Sequence, residues 1–180
     1  HLLWSGIVPE HRIDRVVELL TGEQLWSGWG IRTMSTRDAA FNPLSYHNGT
    51  VWPHDTILAA WGMARSGRWE QAHHIARCLV DAAGYFDHSL PEVFAGYPRH
   101  ETAFPVAYPT AARPQAWAAG APVLALTLLL GLRPDRPARV LRAEAPPSPW
   151  LAGTTLTGIR ALRSTWTVRV SDSAVQVHRE

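Results

Sequence analysis

The chain has 180 residues, 46% of them hydrophobic, and a formal net charge of +2. That is enough apolar material for one substantial core with a small second domain, and too little net charge to mark a nucleic-acid-binding protein. The single cysteine, Cys78, excludes an intrachain disulfide and a cysteine-based metal site.

Cys78 lies in an apolar helical pattern and reads as a buried, inert thiol rather than a nucleophile. The scarcity of cysteine points to a cytoplasmic protein. The seventeen basic residues are all arginine, scattered except for a loose cluster from Arg133 to Arg142. The richest apolar stretch, Ala116 to Leu132, is interrupted by Gly120 and Pro122 and falls short of the ~18 residues a membrane helix needs. Nine tryptophans are spread along the chain. In a core they supply buried area; on a cleft wall they supply flat apolar faces beside polar groups.

In chain order, the segment "HRIDRVVELLT" places Ile13, Val16, Val17 and Leu20 on one helical face. From Glu23 to Ser45 there is no period, and the spacing predicts a long ordered loop. Within "NGTVWPHDTILAAWGMARSG", Asn48 or Thr50 is placed to cap a helix. Pro53 is tolerated in its first turn and Asp55 suits the positive end of the dipole. "RWEQAHHIARCLVDAAGYF" follows as a second helix, with Ala72, Ile75, Ala76, Leu79 and Val80 inward. Only "SGR" separates the two, which predicts an αα-hairpin. A second long loop, Asp87 to Pro114, leads to "PQAWAAGAPVLALTLLLGL", a helix apolar all round and hence expected to be central. A proline- and arginine-rich connection then gives way to "TTLTGIRAL", "STWTVRVS" and "AVQVHRE", which alternate like short strands.

The long loops alternate with the short turn, so they fall at the same end of a helical array. This gathers "WGIRT", "YHNGTVWPHD" and "LPEVFAGYPR" around one mouth. Glu92, between Pro91 and Phe94, is the candidate acid–base carboxylate; capping an amide or pairing with Arg99 is its structural alternative. Asp55 reads first as a dipole-matched residue. His47 and His54 have no HxH or HExxH spacing and no obvious third ligand, so no metal is expected. His73 and His74 fall mid-helix, on the surface or in the core. Trp26, Trp29 and Trp52 are either core anchors or a sugar platform. There is no G-x-S-x-G elbow, P-loop or dinucleotide fingerprint.

Three stretches, "GWGIRTMSTRDAAFNPLSYHNGTVWPHDTILAAWGMARSG", "LPEVFAGYPR" and "PVAYPTAARPQAWAAGAPVLAL", together resemble the C-terminal part of the amylo-α-1,6-glucosidase family. These are glycogen-debranching-like glycoside hydrolases, similar in fold to glucoamylases, trehalases and the mannosylglycerate hydrolase type. The resemblance covers roughly residues 1 to 135. It implies a mainly α chain forming part of an (α/α)6 toroid, with about four helices here, and an inverting mechanism with two carboxylates ~6.5–9.5 Å apart. By that resemblance Glu92 is the general base. Trp29, Arg32, Tyr46, His47, Asn48, Trp52 and, less directly, His54 and Asp55 line the subsite for the cleaved sugar, with Gln115 and Trp117 as wall and packing. Gly49 would allow the backbone close to the ring.

The resemblance further implies residues 1–135 as the C-terminal portion of the catalytic domain, 136–153 as a Pro/Arg-rich linker and 154–180 as a small β element. The family's general acid, an aspartate, is expected upstream of His1, so that this chain alone is a fragment exposing core surface and inactive by itself. No cofactor is expected. The expected partners are an oligosaccharide or polysaccharide and the N-terminal part of the same protein, with neither nucleic acid nor membrane. The other readings are a non-catalytic carbohydrate-binding module on the same scaffold, or a trehalase- or mannosidase-type hydrolase.

Overall fold

A computed structural model describes residues 1–146 and 148–180. It divides into two compact units, His1–Ala125 and Leu126–Glu180. The first holds α1 (Leu2–Ser5), α2 (Glu10–Thr21), α3 (Pro53–Arg65), α4 (Trp69–Gly84) and all but the last turn of α5 (Ala116–Leu129). The second holds the hairpin β1 (Leu132–Asp135) and β2 (Val140–Ala143), a 3₁₀ turn at Pro149–Leu151, and strands β3 (Thr155–Ala161), β4 (Ser164–Val170) and β5 (Val175–Arg179). Helices and two small antiparallel sheets therefore share the chain.

The helices form where the period predicts them. α2 starts on Pro9 with Glu10 in its first turn and buries Ile13 and Val17. α3 and α4 pack on one another, and Ala60, Met63 and Ala64 of α3 and Ala72, Ile75, Ala76 and Leu79 of α4 are all at most 4% exposed. Small residues permit the close approach. At Gly62 the limit is reached against α1, because a β-carbon there would overlap the backbone of Trp4. Trp4 stacks on Trp61 with ring centroids 6.2 Å apart, and Arg65 donates to the Trp4 carbonyl at 2.8 Å.

Two helical expectations are corrected. Neither Asn48 nor Thr50 caps α3: Trp52 occupies the N-cap position with no side-chain cap. The Thr50 hydroxyl instead donates to the Tyr46 carbonyl at 2.8 Å and accepts from Trp52 Nε1 at 3.2 Å. Nor is α5 buried all round. Ala118, Ala121, Ala125, Leu128 and Leu129 are covered, whereas Trp117 and Val123 are 63% and 67% exposed.

In the second unit, β3, β4 and β5 form an antiparallel meander at the three predicted segments. Trp166, Val168 and Val170 alternate inward along β4, as a one-sided sheet requires. Leu162 and Arg163 turn the chain between β3 and β4 at φ of 54° and 62°, the left-handed pair that a two-residue hairpin uses. The β1–β2 hairpin was hidden by Pro134 and Pro137. Pro134 pairs with Leu141 in a two-stranded ribbon, where both strands are edges and one missing N–H is tolerated. Asp135 closes the turn, accepting from the Ala138 amide at 3.0 Å and from the Arg142 guanidinium at 3.2 Å. The stretch 136–153 therefore contains β2 and a 3₁₀ turn rather than linker alone.

Candidate active site

The mouth loops meet through a short run of antiparallel bridges. Arg32 pairs with Val51, Val51 with Phe94, and Phe94 with Ala107. Reciprocal hydrogen bonds join Val51 and Phe94, at 2.9 and 3.0 Å. Four segments distant in sequence are thereby laid side by side, and Val51, Val93 and Phe94 anchor them with no measurable exposure. Glycines allow the packing. A β-carbon at Gly96 would overlap the Gly49 carbonyl, and one at Gly49, itself at φ 152°, would sit 2.6 Å from the Asn42 oxygen. Gly49 thus brings the backbone close to the Asn42 segment.

Glu92 sits one residue before this anchor, half-buried, its own amide bonded to the Ala112 carbonyl at 2.9 Å. Its carboxylate acts on two neighbours. Tyr46 holds its proton above the ordinary phenol range, first by loss of water and then by Glu92 at its hydroxyl. The His54 imidazole is pushed down by burial, against the pull of Asp55 and Glu92. One carboxylate thus confronts a phenol that stays a donor and an imidazole that stays neutral.

Around it runs a row of rings. Tyr46 meets Trp52 edge-on at 4.8 Å and His47 at 4.7 Å. His47 stacks parallel to Trp52 at 5.9 Å. His54 stands edge-on to both Trp52, at 5.7 Å, and Trp117, at 4.6 Å. Trp52 Nε1 donates to the Tyr46 carbonyl at 3.2 Å, which fixes the indole plane. Beyond His54 an apolar groove of about 470 Å³ opens between α3 and α5, lined by Asp55, Ile57, Leu58, Trp117 and Ala121 among others.

Asp55 is held from two sides. His1 Nε2 lies 2.7 Å from its Oδ1, and His1 Nδ1 accepts from Trp4 Nε1 at 2.9 Å, so the His1 proton is on Nε2. His54 Nε2 lies 3.6 Å from the same oxygen. The other His54 nitrogen, Nδ1, is buried without a partner.

Five of the candidate residues are held by partners within the protein. Trp29 is 1% exposed; Arg99 lies over its ring at 4.0 Å and Tyr85 meets it edge-on at 5.5 Å, so its faces are covered by protein. Arg32 is 4% exposed and donates to the carbonyls of Gly96, Glu23 and Trp26 at 2.6, 3.0 and 3.0 Å. It clamps the loops together through these three carbonyls. Gln115 caps α5, its Oε1 accepting from the Ala118 amide at 2.8 Å. Trp26 contacts His74 instead of the ring row. Asn48 contributes through its backbone, its carbonyl accepting from Asn42 at 2.8 Å.

Sequence reasoning did not single out Tyr108, whose ring lies 5.6 Å from Tyr46. It follows Ala107, the last residue of the bridge run, a placement that appears only in the fold. Among the described residues no group of three or more His, Cys, Asp or Glu could hold a metal ion, and no helix is long and apolar enough to cross a membrane.

Residues 2–98 match the family model of the mannosylglycerate hydrolase MGH1-like glycoside hydrolase domain. The matched span includes Glu92 and the stretch from Tyr46 to Asp55, and ends before Tyr108 and Trp117. The glycoside-hydrolase expectation agrees with this match; the glycogen-debranching type is not what the model describes. No curated protein matches the chain.

Proposed function

Because the chain belongs to the MGH1-like glycoside hydrolase family, we propose that it carries the base side of an inverting glycosidase acting on α-linked sugars. The observation that carries this is Glu92, half-buried on the segment that the Val51–Phe94 bridge lays beside the ring row, and near enough to act on both Tyr46 and His54. In an inverting reaction such a carboxylate takes a proton from water as that water attacks the anomeric carbon. A phenol that keeps its proton donates a hydrogen bond to the carboxylate and orients it.

The exposed parts of Trp52 and His47 supply flat apolar surface for a sugar ring. The proton donor to the leaving oxygen is assigned to an aspartate other than Asp55, across the sugar from Glu92 at a separation of about 6.5–9.5 Å. Asp55, already engaged by His1, is not free for that role. The helical hairpins belong, in this proposal, to an (α/α)6 toroid, with the mouth loops at its active end. An α-glucoside of the oligosaccharide or glycogen type remains the substrate inferred from the motifs, and the family's description adds mannosylglycerate.

The experiment is sugar release by the intact protein from isomaltose-, maltose-, trehalose- and mannoside-type substrates. Glu92→Gln is expected to lower kcat about 10³-fold while leaving sugar binding in place. Unchanged release would refute the assignment. Binding without release by the wild type would favour a carbohydrate-binding module.

A further inference from the structure

We propose that Tyr108 is a positioning residue of this site: its ring ties Tyr46, and with it the ring row, to the loop that carries Glu92. The proposal rests on the reading of Glu92 as the base and adds a residue that lies beyond the span matching the family model.

The backbone puts Tyr108 where it can do this. The segment from Val106 to Ala112 runs back along the segment of Glu92. The Ala95 amide donates to the Val106 carbonyl at 2.9 Å, Phe94 bridges Ala107, and the Glu92 amide donates to the Ala112 carbonyl at 2.9 Å. Tyr108 stands between these ties, so it moves only with the segment of Glu92. Its own backbone is restricted further. Pro109 steers the residue before it away from the helical region, and the Tyr108 carbonyl accepts from the Ala111 amide at 3.2 Å.

Tyr46 reaches the same place from the other loop. Its carbonyl accepts from the Thr50 hydroxyl at 2.8 Å and from Trp52 Nε1 at 3.2 Å, which holds its backbone. Its ring has three aromatic neighbours. His47 at 4.7 Å and Trp52 at 4.8 Å belong to its own segment. Tyr108, at 5.6 Å with the ring planes 57° apart, is the one of the three that comes from the loop of Glu92.

The titratable groups against Tyr46 are Glu92 and Tyr108 from that loop and His47 from its own segment. A phenol that keeps its proton can donate to a carboxylate, and the aim of that hydrogen bond follows the tilt of the ring. A neighbouring ring set at an angle fixes the tilt without competing for the proton. Without the Tyr108 ring, Tyr46 is free to turn on the side that faces the loop of Glu92. Misplacing a group that orients the base costs turnover more than it costs sugar binding.

The test uses three variants of the intact protein. Tyr108→Ala removes the ring, Tyr108→Leu replaces it with an apolar side chain that has no flat face, and Tyr108→Phe keeps it. Tyr108→Ala and Tyr108→Leu are expected to lower kcat roughly tenfold while changing KM less than about threefold. Tyr108→Phe should restore most of the loss. In a Tyr46→Phe background Tyr108→Ala should cost little more, because the two residues act through one hydroxyl. A second reading needs no turnover. The ionisation of Tyr46 is followed as the absorbance difference between each protein and its Tyr46→Phe counterpart. Loss of water, then Glu92, then Tyr108 hold that phenol above its ordinary range. Its titration should therefore fall toward the ordinary range in Tyr108→Ala and Tyr108→Leu and stay in place in Tyr108→Phe.

An unmoved Tyr46 titration in Tyr108→Ala and Tyr108→Leu would overturn the proposal. So would losses that add fully to those of Tyr46→Phe, or a loss confined to KM, which would seat Tyr108 against the sugar instead. A moved titration in a protein that releases no sugar would support the tie and refute the hydrolase reading. Release abolished by Glu92→Gln but untouched by Tyr108→Ala would leave the hydrolase reading standing and sink the proposal. If Tyr108→Ala does not fold, Tyr108→Leu decides on the same readings.

Discussion

Two tryptophan-bearing segments of the mouth, Trp26–Arg32 and Tyr46–Asp55, look alike in sequence and do different work. In the first, Trp29 is covered by Arg99 and Tyr85, and Arg32 is turned inward onto three carbonyls. In the second, Tyr46, His47 and Trp52 remain half-buried or exposed, in a row beside Glu92. The first segment is a clamp that holds the loops together; the second is the surface that those loops present. Residue type does not separate the two. What separates them is whether a side chain from elsewhere covers the ring.

The largest effect expected from breaking this comparison is on stability. Trp29→Ala should cost about 3–5 kcal/mol, as for other fully buried aromatic side chains, and leave KM for sugar nearly unchanged in whatever protein still folds. Thermal melting and kinetics on the same preparation check both halves. Trp52→Ala should behave in the opposite sense. It should raise KM roughly tenfold, about 1.4 kcal/mol, with a smaller loss in melting temperature. If Trp29→Ala raised KM and Trp52→Ala did not, the roles would be exchanged.

The smallest effect is a pH slope. Burial lowers the pKa of His54 and also that of His73, whose Nε2 is buried without a partner. Both folded values lie below the unfolded one, near 6.5, so the unfolded chain binds more protons in between. Their contribution to stability is complete above pH ~6.5 and is lost as pH falls through the folded values. Melting temperatures measured from pH 7 down to 5 should decline, and His73→Phe should flatten the decline. A variant with an unaltered slope would show that His73 is not among the groups responsible.

The helices and the meander were legible because period reports burial. Ala72, Ile75, Ala76 and Leu79 lie inward as spaced, and β4 alternates as written. The gathering of the loops also followed from topology, since a three-residue turn and two long loops must fall at opposite ends of the helices. Other features depend on partners distant in sequence, which no local pattern contains. Arg99 over Trp29, Gly96 receiving Arg32, and His1 against Asp55 are of this kind. Thr50 and Gln115 show a third limit. Thr50 is a favoured cap by type and does not cap, because Trp52 and the Tyr46 carbonyl already occupy its hydroxyl, whereas Gln115, not a favoured type, does.

The most direct test of the account is a crystal structure of the intact Glu92→Gln protein with a neutral disaccharide bound. The expected result is a sugar ring against Trp52 and His47, with the residue-92 side chain facing the anomeric carbon across one water. A sugar seated at Trp29 or Arg32, or one with residue 92 turned away from it, would contradict it.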